Sequence, residues 1–513
     1  MKNLRFRFRQ FLSFIILVLF AFGSFLKAQE APPLKADADS QKLIAELEEL
    51  VPELMKKADI PGMSIAVIKD GKIIWTEGFG IKNTKTGEAV TKDTIFEAAS
   101  LTKPFFAYMA MQLVERGELD LDKPLHEYIP QEVLVKKYIR HPWDLEGFNR
   151  DWFRRVTARL VLSHSSGLPH GEPRRPLPIL FEPGSRYKYS ADGYQYLQQV
   201  IEHLKGEPLK DLMVKAALEP LGMEHSSMVW QKRYEAQAAV GHDVFSETNG
   251  RFRKRRSATA AASLYTTAED YARFVLAMLN DVGLKNETIA KMLTPEIDVD
   301  KNVYWGLGFG LEKTPNGKAF WQWGDYGIFR NYIVAYKEKK IGVVYFTNSF
   351  NGLSIGDEIV KHAIGGGNDL GLGFLGYDRF DSPARAFTKT MVDKGMKEAV
   401  KVFHELKNNH PDDVDEAAIN RIGYTFLNAK KTKEAIEIFK LNVENYPDSA
   451  NVYDSLAEAH MNDGDIDLAI KYYKKTLEMI PKDKKADKTT LENLKRGATE
   501  KLKELEAKKK KRE

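Results

Sequence analysis

A serine and a lysine three positions apart, Ser100 and Lys103, form the pair in this sequence best suited to catalysis. On a helix, residues three apart lie on one face and within reach of each other. A serine hydroxyl is a weak nucleophile until a neighbouring base accepts its proton. Lysine can be that base only if burial or nearby positive charge lowers its pKa. The apolar residues after Lys103 predict a buried helix that begins near Ser100, with Pro104 tolerated in its first turn.

Other nucleophile patterns compete with this pair. The S-x-x-K spacing also occurs in an apolar leader and in a turn-rich stretch, at Ser24/Lys27 and Ser185/Lys188. A G-x-S-x-G motif places Ser354 after a predicted strand, but that motif needs an acid and a histidine further along, and only a glycine-rich stretch and helical repeats follow. The sequence lacks H-E-x-x-H, Walker A and dinucleotide-binding motifs, so we predict no metal and no cofactor.

Four further motifs follow Ser100 in a fixed order. They are 162–169 (LSHSSGLP), 182–194 (EPGSRYKYSADGY), 220–223 (PLGM) and 323–327 (WGDYG). Together with Ser100 and Lys103, this set resembles the serine β-lactamase/penicillin-binding-protein superfamily. Within it, the sequence is most similar to the class C-like branch, which includes esterases and D-stereospecific peptidases. The resemblance covers residues 40 to 365 and implies a serine hydrolase.

The resemblance implies a role for each matching residue. Ser100 would be the acylated nucleophile and Lys103 its proton partner. Tyr189 matches the tyrosine of the family's Y-x-N motif, which passes the proton to the leaving group; a phenol of pKa about 10 becomes a usable base beside an ammonium. The backbone N–H groups of Ser100 and Ile328 would form the oxyanion hole, and Gly327 would lie at the bound substrate.

Two positions depart from the family pattern. The asparagine of Y-x-N is Ala191 here, which removes an amide that would orient the substrate or the lysine. We align Asp325 with the lysine or histidine of the third motif, so an acid replaces the cation that penicillin-directed enzymes offer to a substrate carboxylate. We therefore expect no β-lactamase activity. In an alternative interpretation, the Asp325 carboxylate only caps nearby backbone N–H groups.

Three neighbouring features have structural interpretations. Tyr187 is an alternative to Tyr189 as the proton carrier. The spacing from the preceding Pro183-Gly184 favours Tyr189 for that role, so we expect Tyr187 to be a packed residue. His164 is typical of a hydrogen-bonded core histidine within its motif. The aromatic and basic segment 133–156 could be a lid over the site or a surface ornament, and the sequence leaves both open.

The segments around these residues are predicted to be helices and strands. A helix is predicted at 41–56 and a β-hairpin at Met63–Phe79, with Asp70-Gly71 as its two-residue turn. Three later strands are predicted at Tyr304–Leu311, Phe329–Tyr336 and Ile341–Thr347, and helices at 100–116, 192–205 and 267–280. We predict an α+β fold of the β-lactamase/transpeptidase type: one antiparallel sheet built from both ends of the domain, flanked by helices, with an inserted helical subdomain.

The C-terminal part repeats itself. Alanine, aromatic and proline recur as Ala399/Phe403/Pro411, Ala435/Phe439/Pro447 and Ala469/Tyr473/Pro481, offset by 36 and then 34 positions. Before the last two sets, Gly423 and Ala457 lie where a small residue lets two helices cross closely. This pattern resembles tetratricopeptide repeats, so we predict an all-α solenoid that binds a protein partner, closed by a capping helix.

Composition limits the remaining possibilities. The chain has 513 residues and a net charge of +5, and its first 29 residues carry five basic residues ahead of or beside the apolar run 11–25. We interpret 1–29 as a cleaved signal peptide, or a membrane anchor if uncleaved, which leaves a neutral mature chain with no basis for nucleic-acid binding. There is no cysteine, which excludes disulfides and thiolate chemistry.

The sequence thus predicts five segments: signal peptide 1–29, spacer 30–40, hydrolase domain 41–365, glycine-rich linker 366–378, and helical repeats with a capping helix 379–513. Our first hypothesis is an exported, periplasmic or secreted serine hydrolase that forms an acyl-enzyme with an ester, amide or peptide substrate. The alternative is an inactive hydrolase scaffold that binds a ligand or peptide while the repeats recruit a partner. After signal cleavage, neither hypothesis requires a stable membrane span.

Overall fold

The structure is a computed structural model that describes residues 32–130, 149–171, 178–248, 250–367, 369–409 and 414–510. Eleven strands occur in these residues. They are β1 Gly62–Lys69, β2 Lys72–Asn83, β3 Glu88–Ala89, β4 Phe96–Glu97, β5 Tyr265–Thr266, β6 Ile297–Asp300, β7 Val303–Trp305, β8 Gly310–Thr314, β9 Gly317–Asp325, β10 Arg330–Tyr336 and β11 Ile341–Thr347. Nine of them form one antiparallel sheet, in the order β3-β2-β1-β11-β10-β9-β8-β7-β6.

The sheet joins the two ends of the predicted catalytic region, residues 41–365, as the sequence predicts. β1 pairs with β11 from Met63↔Thr347 to Ile68↔Gly342, across more than 270 positions of sequence. The predicted hairpin turn is also present: Asp70 and Gly71 have φ of 52° and 66°. Positive φ at both central residues is the geometry that matches the twist of the flanking strands.

One strand prediction is wrong in detail. The segment Tyr304–Leu311 is divided between β7 and β8, which pair with each other as a hairpin. The turn closes with a hydrogen bond from Gly306 N–H to Phe309 O, 2.9 Å, and Gly308 takes φ of 105° against Ala107 of the central helix. A side chain at that position would collide with Ala107, so glycine permits the turn.

Helices cover both faces of the sheet. Those of the catalytic region are α1 Ser40–Lys57, α2 Thr102–Glu115, α3 Arg150–Arg154, α4 Ala158–Leu162, α5 Ala191–Lys205, α6 Leu209–Met213, α7 Tyr234–Gln237, α8 Ala268–Asn280, α9 Asn286–Met292, α10 Gly356–Ile364 and α11 Leu370–Leu375. The predicted helices correspond to α1, α2, α5 and α8 within two residues at each end.

The two faces of the sheet bury separate cores, as the period of two in a strand requires. On β1, Ala66 and Ile68 belong to the core that surrounds α2, α5 and α8. Met63, Ile65 and Val67 belong to the core on the opposite face, under α1 and α10. α2, in which eleven of fourteen residues are buried, therefore lies inside the first core and presents only its first turn to the site.

In the described residues from 383 to 510, the C-terminal region contains seven helices. They are α12 Pro383–Lys394, α13 Met396–Asn409, α14 Glu416–Asn428, α15 Thr432–Asn445, α16 Ala450–Asp463, α17 Ile466–Met479 and α18 Lys488–Lys510. The repeated alanines at 399, 435 and 469 are completely buried. At Gly423, an added Cβ would lie 2.4 Å from the Phe439 ring, which confirms that the small residue lets α14 and α15 cross closely.

The glycine-rich segment predicted as a linker is packed rather than free along most of its described length. It contains α11, and the N–H of Gly371 donates to Glu312 Oε2 at 3.0 Å. An added Cβ at Gly371 would lie 2.6 Å from both Trp321 and the Tyr332 hydroxyl. The predicted signal peptide lies outside the described residues. Among the residues the structure describes, no helix is long and apolar enough to cross a membrane.

Candidate active site

Ser100 and Lys103 meet at the entrance to α2. Ser100 lies in a short 3₁₀ turn, Ala99–Leu101, which leads directly into the helix. Lys103 Nζ donates a hydrogen bond to Ser100 Oγ at 3.1 Å. Ala99 has φ of 49°, and a left-handed conformation in a residue other than glycine is a strained state that surrounding contacts must hold. Thr102 supplies one such contact, since its Oγ1 donates to Ala99 O at 2.7 Å.

The lysine is enclosed. Its side chain is buried, at 1% exposure, and Nζ also donates to Ala261 O at 2.9 Å. The ammonium lies 4.7 Å from the centre of the Tyr189 ring and 5.8 Å from that of Tyr194. Burial lowers the pKa of Lys103 to about 7. A substantial fraction is therefore unprotonated at neutral pH and able to accept a proton.

Tyr189 lies on an extended segment just before α5, and His164 holds that segment. The backbone N–H groups on either side of Tyr189 donate to His164, from Lys188 to its carbonyl at 2.8 Å and from Ser190 to its Nδ1 at 3.0 Å. The two rings are 4.2 Å apart, and burial holds the pKa of His164 well below its usual value. His164 is thus a neutral, hydrogen-bonded core residue, as predicted.

The protonation of Tyr189 differs from the expectation. Burial raises its pKa above the ordinary value, and hydrogen bonds with Ser100 and Gln322 offset this only in part. Tyr189 is therefore a neutral phenol at physiological pH and can donate a proton, while Lys103 is the stronger candidate for the base.

Gln322 is a site residue that the sequence analysis missed. It is completely buried on β9, and its Nε2 donates both to Tyr189 OH at 3.0 Å and to Ser100 O at 3.1 Å. One amide thus links the backbone of Ser100 to the hydroxyl of Tyr189. The sequence did contain a signal for this residue: a single glutamine within the otherwise apolar run FWQW at 320–323. Because a buried polar side chain needs a hydrogen-bond partner, such a glutamine indicates a specific contact.

The last motif, 323–327, lies at the end of β9 and in the turn that follows. Tyr326 N–H donates to Phe329 O at 3.0 Å across the turn to β10. Alternate residues of an antiparallel strand bond opposite neighbours, so the N–H of Asp325 points away from β10. The pairing of β8 with β9 ends at Trp321, so the edge of β9 that faces away from β10 is unpaired beyond this residue. Gln322 contacts Ser100 in the same part of the strand.

The side chain of Asp325 is held within the turn. It accepts hydrogen bonds from Gly327 N–H, Arg330 Nε at 3.1 Å and the Tyr377 hydroxyl at 2.6 Å. Both carboxylate oxygens are used and the charge is paired with Arg330. This is the capping interpretation, and the predicted repulsion of anionic substrates by a free Asp325 carboxylate loses its basis.

The other predicted substrate-binding positions are distributed around the site. Ala191 is the first residue of α5, directly after Ser190, whose hydroxyl caps the helix by accepting from Gly193 N–H at 2.9 Å. Gly327 has φ of 76°, and its N–H donates a hydrogen bond to the side chain of Asp325. Ile328 lies in the same turn, with its carbonyl bonded by His242 N–H at 3.3 Å.

The rival nucleophiles have other roles. Ser354 lies in the 3₁₀ turn Gly352–Ile355, and its buried hydroxyl donates to Asn351 O at 2.7 Å. Ser185 is exposed and donates to Glu182 O at 2.6 Å. Ser24/Lys27 lie outside the described residues, as does most of segment 133–156; the part that is described contains α3.

Comparison with known proteins identifies the architecture. The family model for β-lactamase matches residues 47–362, more than half of the chain. The chain belongs to the β-lactamase family. Tetratricopeptide repeat models match residues 418–449 and 450–483, so this β-lactamase family member also carries such repeats.

Individual relatives agree with the family assignment. The chain is 25% identical to esterase EstB of Burkholderia gladioli over 64% of its own length and 96% of the esterase. A penicillin-binding protein homologue from Pyrococcus abyssi, described as octameric, superimposes with a TM-score of 0.53 at 25% identity, over 68% of this chain and 81% of that one. D-alanine carboxypeptidase AmpC from Burkholderia cenocepacia shares the fold with a TM-score of 0.51 at 22% identity, over 61% and 95%.

Proposed function

We propose that this serine hydrolase is an exported enzyme that cleaves ester or amide substrates through an acyl-enzyme on Ser100. The observation that carries the proposal is the 3.1 Å contact between Ser100 Oγ and a lysine whose pKa burial lowers to about 7. The hydrolase domain would span 41–365, and the repeats at 379–513 would bind a protein partner. The leader at 1–29 supports export.

The chemistry follows from the protonation states. Neutral Lys103 accepts the proton of Ser100 Oγ as the oxygen attacks the substrate carbonyl carbon. Tyr189, a neutral phenol, donates a proton to the leaving group and recovers one from the lysine. Water then attacks the acyl-enzyme by the reverse proton route and releases the acid. Gln322 keeps the tyrosine hydroxyl aligned with the Ser100 backbone during both acylation and hydrolysis of the acyl-enzyme.

For the oxyanion hole, we propose the backbone N–H groups of Ser100 and Asp325. The N–H of Asp325 lies on the open edge of β9, whereas Ile328, our expectation from the sequence, lies in the turn beyond it. An added Cβ on Gly324 would lie 2.2 Å from Ala98 O, so this edge approaches the Ser100 segment closely. Preorganised donors of this kind stabilise the charge that develops on the substrate oxygen.

The preferred substrates are esters or amides other than penicillins. At the end of β9, the side chains available are an uncharged amide, Gln322, and a carboxylate already paired with Arg330. Neither provides a cation for the carboxylate of a penicillin. The similarity to an esterase from Burkholderia gladioli supports an ester as the first substrate to test.

A fluorophosphonate probe tests the proposal, because it phosphonylates only an activated serine. Wild-type protein should gain one adduct by intact mass, Ser100→Ala should gain none, and Ser354→Ala should react at the wild-type rate. Circular dichroism would establish that each variant is folded. Absence of labelling in folded wild-type protein would refute the enzyme and favour the ligand-binding scaffold.

A further inference from the structure

A second pocket lies in the catalytic region, between α9 and the inner face of β7, β8 and β9. Its volume is about 670 Å³, within the range of roughly 300–1,000 Å³ that is usual for small-molecule sites. The wall is mostly apolar and includes Leu279, Leu293, Tyr304, Leu311 and Phe320. Neither Ser100 nor any other residue of the proposed catalytic set lines it.

Lysines line the same pocket. Lys313 on β8 and Lys318 on β9 are direct partners in the strand register, and Lys340 follows β10. Like charges placed directly opposite each other on one sheet face are destabilising. Residues two apart on a strand share a face, so the exposed Lys313 and Lys318 lie next to Leu311 and Phe320, which are buried. The apolar wall therefore continues directly into a pair of cations.

The acidic residues of the pocket do not neutralise this pair. Asp281 is already bonded by Lys337, at 2.6 Å. Glu312 turns to the other face of the sheet, where it accepts from Gly371 N–H at 3.0 Å. Glu338, on the turn after β10, is exposed like the three lysines and forms no ion pair with any of them. Three lysines, Lys313, Lys318 and Lys340, thus face one free carboxylate among the lining residues.

We propose that this pocket binds a single-chain amphiphile with an aliphatic tail and a carboxylate head. The tail occupies the apolar wall under α9, and the carboxylate lies between the paired ammonium groups of Lys313 and Lys318. An anion there relieves the repulsion across the β8–β9 hairpin, and the tail removes apolar surface from water. Binding at this site is independent of chemistry at Ser100.

Calorimetric titration with hexanoate, octanoate and decanoate tests the site on the full chain. Each added methylene should tighten the Kd by about fourfold until the pocket is filled, given the usual gain per buried methylene. Decyltrimethylammonium, with the same tail and a positive head, should bind at least about tenfold more weakly. Equal affinity for the two head groups would overturn the proposal, because it would show adsorption of the tail alone.

Variants locate the binding. Lys313→Gln with Lys318→Gln should raise the decanoate Kd by about tenfold or more. Ala290→Phe on α9 should fill part of the pocket and remove the dependence on tail length. Lys339→Gln is the matched control, since this exposed lysine belongs to the same turn as Lys340 but does not line the pocket. Unchanged affinity in the double variant would refute the site.

Protein first labelled at the catalytic serine separates this inference from the proposed function. Decanoate should bind labelled and unlabelled protein alike if it occupies the second pocket. Binding that disappears on labelling would place the carboxylate in the catalytic cleft and refute the second site. Conversely, normal decanoate binding in a protein that never reacts with the probe would support the pocket and reject the enzyme.

Discussion

The pKa of Lys103, the base that we propose, is lowered by burial alone, and this determines the pH dependence that we expect of the reaction. Its pKa of about 7 is lowered from the ordinary value, so the neutral form predominates only above that pH. We expect kcat/KM for an aryl ester to rise about tenfold per pH unit below 7 and to level off above it. Lys103→Arg should be as inactive as Lys103→Ala, since guanidinium stays protonated. Near-normal turnover in the arginine variant would show that only the charge is needed.

Substitutions of Gln322 test the hydrogen bonds that connect Ser100 and Tyr189. It bridges Tyr189 OH and Ser100 O, so we class it as a positioning residue. Gln322→Met should lower kcat by about tenfold or more with little change in KM. Gln322→Glu should also move the pH profile to higher pH, because an added carboxylate would favour the charged form of Lys103. If the glutamate variant keeps the wild-type profile, Gln322 does not face the lysine and tyrosine as we infer.

At the scale of elements, the β9–β10 turn depends on Asp325. Asp325→Ala would lose the Gly327 cap and leave Arg330, whose side chain is 14% exposed, without its carboxylate. We expect a loss of about 2–3 kcal/mol in the free energy of unfolding, measured with urea. The ratio of rates on anionic and neutral esters should stay at the wild-type value in Asp325→Asn. A changed ratio at unchanged stability would mean that the carboxylate faces the substrate.

The docking of α11 on the sheet should be sensitive to pH. Burial raises the pKa of Glu312, which bonds the first turn of α11, and that of Asp369, which caps this helix. Repulsion by Asp369 adds to the shift of Glu312, and repulsion by Asp357 adds to that of Asp369. The folded state therefore holds these protons more tightly than the unfolded state, so stability decreases as pH rises above the ordinary carboxylate range. Glu312→Gln should remove much of this decrease and gain about 1–3 kcal/mol by pH 8.

Thermal unfolding of wild type and Glu312→Gln between pH 5 and pH 8 measures this effect. Glu338→Gln is the control, because that carboxylate is exposed. Parallel melting curves for wild type and Glu312→Gln would contradict the prediction.

At the scale of the whole molecule, the repeats contact the region before them close to the β9–β10 turn. The Phe245 ring packs on Phe426 of α14 at 4.9 Å, and Arg385 of α12 donates to Asn351 Oδ1 at 2.9 Å. The loop that carries Phe245 also carries His242, whose N–H donates to the carbonyl of Ile328. The contact surface of the repeats is thus connected through one short loop to the turn after β9.

This contact predicts how the two regions separate. Phe245→Ala should weaken their docking by about 2 kcal/mol, because a partly buried aromatic pair is lost. Limited proteolysis should then release the repeats faster, while labelling of Ser100 continues at the wild-type rate. Leu204→Ala, at a similarly apolar but exposed position, is the control. Equal proteolysis of both variants would show that other contacts hold the regions together.

The sequence by itself determined the features that short-range spacing encodes. The S-x-x-K pair, the Asp70-Gly71 turn and the 34-residue recurrence each depend on residues close in the chain, and the structure contains the helix start, the hairpin and the stacked helix pairs they predict. The apolar strand patterns also predicted that strands from both ends of the domain would share one sheet.

Only the tertiary structure decided which side chains meet across the sheet. Gln322 reaches Tyr189 across 133 positions of sequence, and the direction of the Asp325 N–H follows from which neighbour each residue of β9 bonds. The pKa of Lys103 likewise depends on burial by segments far away in the chain. Asp325 is paired because Arg330 and Tyr377 happen to converge on it. Register, burial and long-range pairing arise from packing, which residue spacing along the chain does not record.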